Sequence, residues 1–246
     1  MRHLIVSDLH SNWEALQAVL ADANGRYDNI VCCGDVVGYG ADPDLVTEWV
    51  RENVVAIVRG NHDKACCGLE DLEWFNPAAR ASAIWTQSIA DPRNLDYLRR
   101  LARGPETYNG FQMIHGSPVD EDEYVLTERE VGCVVPYLEA DVTFFGHTHI
   151  QIGFLCHRNG VKTLQRPEGT GREETIELEN DVRYLMNPGS VGQPRDGDPR
   201  AGYAIYDTEL RTVVFCRIAY DIASAQRKIV KAGLPEPLAR RLETGN

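Results

Sequence analysis

The amino-acid sequence predicts an α/β protein with parallel-rich pairing in its first half and antiparallel pairing in its second. Three observations carry this. Over residues 2–63, short apolar runs alternate with helical periodicity, which implies parallel strands joined by helices. Beyond position 150 the pattern changes to short alternating strands, which suit antiparallel pairing. Five of the apolar runs end at a block that pairs a metal-competent side chain with glycine or a turn.

Residues 2–7 (RHLIVS) read as a buried first strand ending at Asp8 and His10. Ser11 with Glu14 fits a capping box for the next helix, whose apolar stripe is Trp13, Leu16, Val19 and Leu20. Strand 29–33 runs into Gly34-Asp35. Asp42-Pro43 then opens a helix with Leu45, Val46, Trp49 and Val50 as its buried face. Strand 54–58 runs into Gly60-Asn61-His62-Asp63. Residues 77–103 look like a helical cover, with Ala81, Ile84, Trp85, Ile89, Leu95, Leu98 and Leu101 available for burial.

Strands at 111–114 and 141–145 lead to His115 and to Gly146-His147-Thr148-His149. Between them Thr127 and Glu130 form a second capping box, and Pro136 should kink or shorten that helix. Later strands are expected at 151–157, 161–165, 174–179, 183–186, 202–207 and 212–218, with a loop at 165–172 that could act as a lid. Helices close the chain, from 221 or 222 to 232 and near 238–242. One domain over 1–246 accommodates all of this.

A formal net charge of −12 argues against a protein that tracks long nucleic acid, which needs a basic surface; a small phosphorylated substrate stays open. No apolar run approaches a membrane span, and the first residues enter a strand directly, so a cytoplasmic protein is expected. The seven cysteines lack a C-x-x-C pair and are read as reduced and mostly buried. Cys66 and Cys67 follow Asp63 closely enough to raise a redox role, against which packing is the stronger reading.

The blocks are Asp8-Leu9-His10, Gly34-Asp35, Gly60-Asn61-His62-Asp63, His115-Gly116 and Gly146-His147-Thr148-His149, and only His3 and His157 lie outside them. Mixed carboxylate, amide and imidazole donors point to divalent transition metals such as Mn, Fe, Co, Ni or Zn. Asp8 and His10 can turn toward one ion; His147 and His149 can serve one ion or two. Asp35, with two oxygens, can bridge two ions that would lie ~3.5–4 Å apart. Two dications with Asp8, Asp35 and a bridging hydroxide leave about one positive charge, enough to attract a phosphate. The hydroxide would attack phosphorus in line. His62, beside Asn61, is placed to donate a proton to the leaving oxygen, and Asp63 to orient its imidazole.

Taken singly, each block has a plainer explanation. Asp8 could cap a helix, Asp35 and Asn61 could be turn residues, and His115 a satisfied loop histidine. Asn187-Pro188-Gly189-Ser190 could be only a β-turn. Arg195 could grip a phosphate oxygen or be a loop arginine. Trp74, Phe75 and Trp85 could line a pocket, but core packing is the stronger reading.

In order and spacing the blocks resemble the calcineurin-like metallophosphoesterase superfamily: D-x-H, G-D, G-N-H-[DE], H and G-H-x-H. The stretches 34–40, 115–118, 187–195 and 232–235 are similar to its small prokaryotic phosphodiesterase-type branch. The resemblance implies a two-sheet α/β/β/α sandwich. It implies a first metal on Asp8, His10, Asp35 and His149, a second on Asp35, Asn61, His115 and His147, and His62 as catalytic acid. It also implies a phosphodiesterase, with a phosphomonoesterase, a protein phosphatase or a non-catalytic binding protein of the same fold as alternatives. Members acting as protein phosphatases or dinucleoside tetraphosphate hydrolases carry Asp-Arg where this chain has Gly38 and Tyr39, which counts against both activities.

Overall fold

The computed structural model describes residues 1–164 and 171–246. Six of the eight positions of the expected 165–172 loop, and hence its role as a lid, lie outside the described residues. The elements in chain order are β1 (Arg2–Val6), α1 (Trp13–Ala23), β2 (Asn29–Cys32), α2 (Pro43–Asn53), β3 (Val54–Ile57), α3 (Asn61–Cys67) and a 3-10 turn (Leu72–Trp74). Then come α4 (Pro77–Ile89), α5 (Pro92–Arg99), β4 (Glu106–Tyr108), β5 (Phe111–Met113), α6 (Glu128–Val134), a second 3-10 turn (Val135–Tyr137) and β6 (Val142–Phe144). The remainder is β7 (Gln151–His157), β8 (Gly160–Leu164), β9 (Glu173–Glu177), β10 (Arg183–Pro188), β11 (Ala201–Asp207), β12 (Thr212–Ile218), α7 (Ile222–Lys231) and α8 (Glu236–Thr244).

Among the described residues the strands form two six-stranded sheets, ordered β3-β2-β1-β11-β12-β9 and β4-β5-β6-β10-β7-β8. Strands β1, β2 and β3 are parallel, as are β5, β6 and β10. The flanking pairs are antiparallel. Both sheets are therefore mixed, with a parallel-rich first half and a mainly antiparallel second half, and one pair stands apart. Strand β10 pairs parallel to β6, while β9, β11 and β12 return to complete the first sheet. Periodicity shows which stretches are strands; it does not show which distant strand each will pair with.

Alternation along the strands builds the layers. In β1, Leu4 and Val6 face the helices of the first sheet, while Ile5 faces the second sheet with Val31, Met113, Phe144, Tyr184 and Met186. On the far side Phe145, Phe154 and Leu185 pack against Val131 and Val134 of α6. A separate cluster joins α4, α7 and α8 around Tyr39. The result is helices, sheet, sheet and helix. No helix among the described residues is long and apolar enough to cross a membrane.

Several helix details differ from expectation. The cap of α1 is Asn12, whose side chain accepts from the Ala15 amide, while Ser11 sits in the left-handed region. The 77–103 cover divides at Asp91-Pro92, because proline cannot continue a helix and Asp91 caps the next one. Its first part buries small residues, Ala79, Ser82, Ala83 and Thr86, and leaves Ile84 and Ile89 about half exposed. In α2 Leu45 is exposed and Thr47 is buried in its place. Asp42 makes no capping bond; its carboxylate accepts from Lys228 at 2.6 Å. Thr127 and Glu130 do form the expected box, and α6 stops at Val134, before Pro136.

Candidate metal centre

The site is assembled where strands of both sheets end. Asp8 and His10 leave β1, Asp35 follows β2, and Asn61 and His62 open α3 just after β3. His115 follows β5, and His147 and His149 follow β6. Asp8, His10, Asp35 and His149 bring one donor atom each within 4.8 Å of one another, and so do Asp35, His115 and His147. Asn61 adds its amide oxygen to the second group, 3.3 Å from His115 Nε2. Asp35 belongs to both groups.

Hydrogen bonding sets the imidazole tautomers. His10 Nδ1 donates to the Val37 carbonyl at 3.0 Å, and His149 Nδ1 to the Gln193 carbonyl at 2.6 Å. Burial keeps both rings neutral, well below the ordinary imidazole range. Their Nε2 lone pairs then face each other at 3.0 Å with no proton between them. Such a contact is repulsive unless a cation lies beside both. His115 Nδ1 donates to the Cys33 carbonyl and His147 Nε2 to the Asp122 carbonyl, so those rings present Nε2 and Nδ1. These carbonyls act as orienting partners of metal-binding histidines commonly do.

The carboxylates agree. Asp35 Oδ2 lies 3.5 Å from His10 Nε2 and 3.4 Å from His115 Nε2, and it is buried without a hydrogen-bond partner. Asp8 Oδ2 is buried and unpartnered too. Burial would lower the His115 imidazolium, but without a cation the adjacent Asp35 charge overrides it and pushes His115 up to about 10, so a metal taking Nε2 would displace that proton. Burial drags His147 down to about 3 and His62 to about 4. A buried set of donor nitrogens and orphaned carboxylate oxygens of this kind fits divalent metal, with Asp35 common to both donor groups.

The local backbone is arranged for these donors. Asp8, His10, Asp35, His147 and His149 all have φ between 47° and 67°, the left-handed region that costs an L-residue about 1 kcal/mol or more. Side chains behind the site hold the loops. Asn187 donates to the Gly146 carbonyl and to Thr148 Oγ1, and Ser190 Oγ donates to the Asp8 carbonyl, so the 187–190 stretch is more than a turn. At Gly60 a Cβ would stand 2.0 Å from Asp35 Oδ1, which excludes any other residue.

Asp63 departs from its expected role. Its carboxylate accepts from the amides of Asp35, Val36, Val37 and Gly60, at 2.8 to 3.3 Å, and these bonds take it away from the His62 ring. It fixes the Asp35 loop onto the first turn of α3. The His62 imidazole instead packs 4.2 Å from the Tyr39 ring and edge-on to Phe75 at 5.5 Å. Its backbone amide donates to Asp35 Oδ1 at 2.8 Å.

A cleft of about 430 Å³ opens over Asp35, Asn61, His62, His147 and His149, with Arg195, Tyr124 and Trp74 on its walls. Arg195 is half-buried and donates to the Tyr39 hydroxyl and to Gln193 Oε1, both at 3.1 Å, so it is not a free loop arginine. Trp74 is corrected outright: it is 90% exposed on the cleft rim rather than in the core. Cys66 and Cys67 are buried, and burial pushes both thiols up, which works against thiolate chemistry. Sequence reasoning missed Tyr39, Gln193 and the carbonyls of Cys33 and Asp122. Carbonyl roles leave no side-chain signal, and in the sequence Tyr39 stands out only as a departure from Asp-Arg.

A model of the calcineurin-like phosphoesterase superfamily domain matches residues 1–211. An uncharacterized protein of Methanocaldococcus jannaschii is 39% identical over 98% of this chain and 97% of its own length. A crystallised metallophosphoesterase of Sphaerobacter thermophilus is 38% identical, with a TM-score of 0.86 over 100% of this chain and 99% of that one. A hypothetical protein of Pyrococcus horikoshii shares the fold at 18% identity, with a TM-score of 0.79 over 100% of this chain and 98% of that one. The two facing imidazoles, the shared Asp35 and these likenesses lead to one assignment: the chain belongs to the calcineurin-like phosphoesterase superfamily.

Proposed function

We propose that this protein is a dinuclear metal-dependent hydrolase of small phosphodiesters. The observation that carries the proposal is Asp35 Oδ2, orphaned between His10 of one donor group and His115 of the other. Two divalent transition metals held there would polarise the phosphoryl oxygens and activate the attacking water. Asp8 and the four imidazoles hold the donor geometry rigidly, since each is tied to a backbone partner, and Asn61 reaches the group beside His115 Nε2. His62 lines the cleft as a neutral imidazole, with its pKa lowered to about 4 by burial. A phosphate anion drawn against it favours the imidazolium, which can then protonate the leaving oxygen. The centre's net charge of about one matches a diester monoanion better than a monoester dianion. Partners of high negative charge and length, such as nucleic acid, suit the acidic chain poorly.

The test is metal analysis together with hydrolysis of bis(4-nitrophenyl) phosphate and 4-nitrophenyl phosphate by metal-stripped protein reloaded with Mn. Two equivalents of metal and faster diester turnover are expected. Asp35→Asn should lose both metal and turnover, and His62→Ala should keep metal and lose roughly 10²–10⁴-fold in kcat. A protein that binds two metals and turns over neither ester would be a binding protein of the same fold.

A further inference from the structure

Two arginines from distant parts of the chain reach one acceptor beside this centre. Nη2 of Arg195 and Nη1 of Arg241, which lies on α8, each lie 3.1 Å from Oε1 of Gln193. Their guanidinium carbons stand 5.6 and 5.9 Å from the centroid of the Tyr39 ring. That ring lies 4.6 Å from His10 and 4.2 Å from His62, so a single aromatic side chain separates the arginines from the metal-binding groups.

The pairing is costly as it stands. Among the described residues neither guanidinium forms an ion pair with a carboxylate, and the partner each meets is a neutral amide oxygen or a phenol. Arg195 Nε is buried with no partner at all. Burial and the neighbouring Arg195 together lower the Arg241 guanidinium. Like charges held together in partial burial repel, and an oxyanion placed between two planar guanidinium forks relieves that repulsion.

On the other wall Asp71 is open to solvent and accepts from the Glu73 amide, and no ion pair joins a carboxylate of that wall to either arginine among the described residues. Glu70, Glu121 and Asp122 are engaged by Lys64, and Glu121 also by Arg59. A diester monoanion would offset the single positive charge of the loaded centre and leave both guanidiniums uncompensated. We propose that Arg195 and Arg241 form a second oxyanion subsite, so that the preferred substrate is a phosphodiester carrying another anionic group, carboxylate or phosphate, a few bonds from the scissile phosphorus. This names the substrate class for the phosphoesterase proposed above and rests on it.

The test uses calorimetric titration of the metal-loaded full chain with three phosphonates, which have no phosphoester bond to cleave. They are butylphosphonate, 4-phosphonobutyrate and butane-1,4-bisphosphonate, with metal content checked before and after. Wild type should bind at least one of the doubly anionic probes about ten-fold tighter than butylphosphonate, consistent with one charge-assisted, forked contact. Which one gains tells a carboxylate from a phosphate. Arg241→Gln should bring that ratio close to one, and Arg241→Lys, which keeps the charge without the fork, should retain part of it. Equal binding of all three probes by wild type overturns the subsite. So does an unchanged ratio in Arg241→Gln with a lowered Tm, which would make Arg241 a clasp between α8 and the 187–195 stretch. Failure to hydrolyse any ester would instead overturn the phosphoesterase proposal, with the binding ratio still measurable.

Discussion

A methyl group at position 38 separates ligand chemistry from proton chemistry in this site. Gly38 has φ +89°, and a Cβ there would meet His62 Nδ1 at 2.6 Å, while none of the close contacts is a metal donor. Gly38→Ala should therefore retain two equivalents of metal and lower kcat for the diester at least ten-fold, as checked by metal analysis and steady-state kinetics. Equal loss of metal would show that residue 38 supports the ligands rather than His62. Asp63 gives the complementary case. Its four amide donors need a carboxylate, and Asp63→Asn would turn an NH₂ group toward some of them. A loss of about 1–3 kcal/mol in stability, read by urea unfolding, should accompany weaker metal binding even though Asp63 belongs to neither donor group.

At the scale of elements, local bonds decide where helices begin and how loops are anchored. Asn12 caps α1 and also donates to the Gly192 carbonyl at 2.8 Å, linking the first helix to the stretch behind His149. Asn12→Ala should cost about 1–2 kcal/mol, and Ser11→Ala much less, by comparison of urea midpoints. A second anchor joins α3 to the 117–123 loop through Arg59, Lys64 and Glu121. Burial would raise the Glu121 carboxyl, but the Arg59 guanidinium and the Lys64 ammonium outweigh it and hold Glu121 below the usual carboxylate range. A carboxyl lowered on folding adds stability above its unfolded pKa and loses it as pH falls through the folded value. Glu121→Gln should therefore destabilise by about 1–3 kcal/mol at pH 7, and in pH-dependent melting the gap should narrow as pH falls below the ordinary glutamate range and close once the lowered folded carboxyl is protonated. A gap independent of pH would mean that packing, not charge, is what Glu121 contributes.

For the whole molecule, metal binding and folding are linked, because the donor set draws on both sheets. His10 comes from the first sheet and His149 from the second, and without a cation their lone pairs face each other. Ligand that binds only the native state stabilises it by about 2.7 kcal/mol at a hundred times its Kd. Chelation should thus lower Tm by several degrees, and Mn should restore it in wild type but not in Asp35→Asn. A melting curve indifferent to chelator would remove metal from the protein's stability. The C-terminal helices belong to this scale as well: α8 packs in one cluster with Tyr39 and brings Arg241 to Gln193, where Arg195 also bonds.

The strand-and-block pattern was enough to read the α/β class, most strand positions and every residue of the two donor groups, because donors at strand ends obey local spacing; the two-sheet sandwich followed from the family resemblance. Other features required the tertiary structure. Strand β10 lies parallel to β6, Trp74 sits on the surface, Asp63 binds four amides, and Arg241 comes within 3.1 Å of a side chain 48 positions away. Periodicity records what a stretch of chain does with its own neighbours. Pairing, exposure and the convergence of charges depend on which distant surfaces meet, and that is settled only when the two sheets pack.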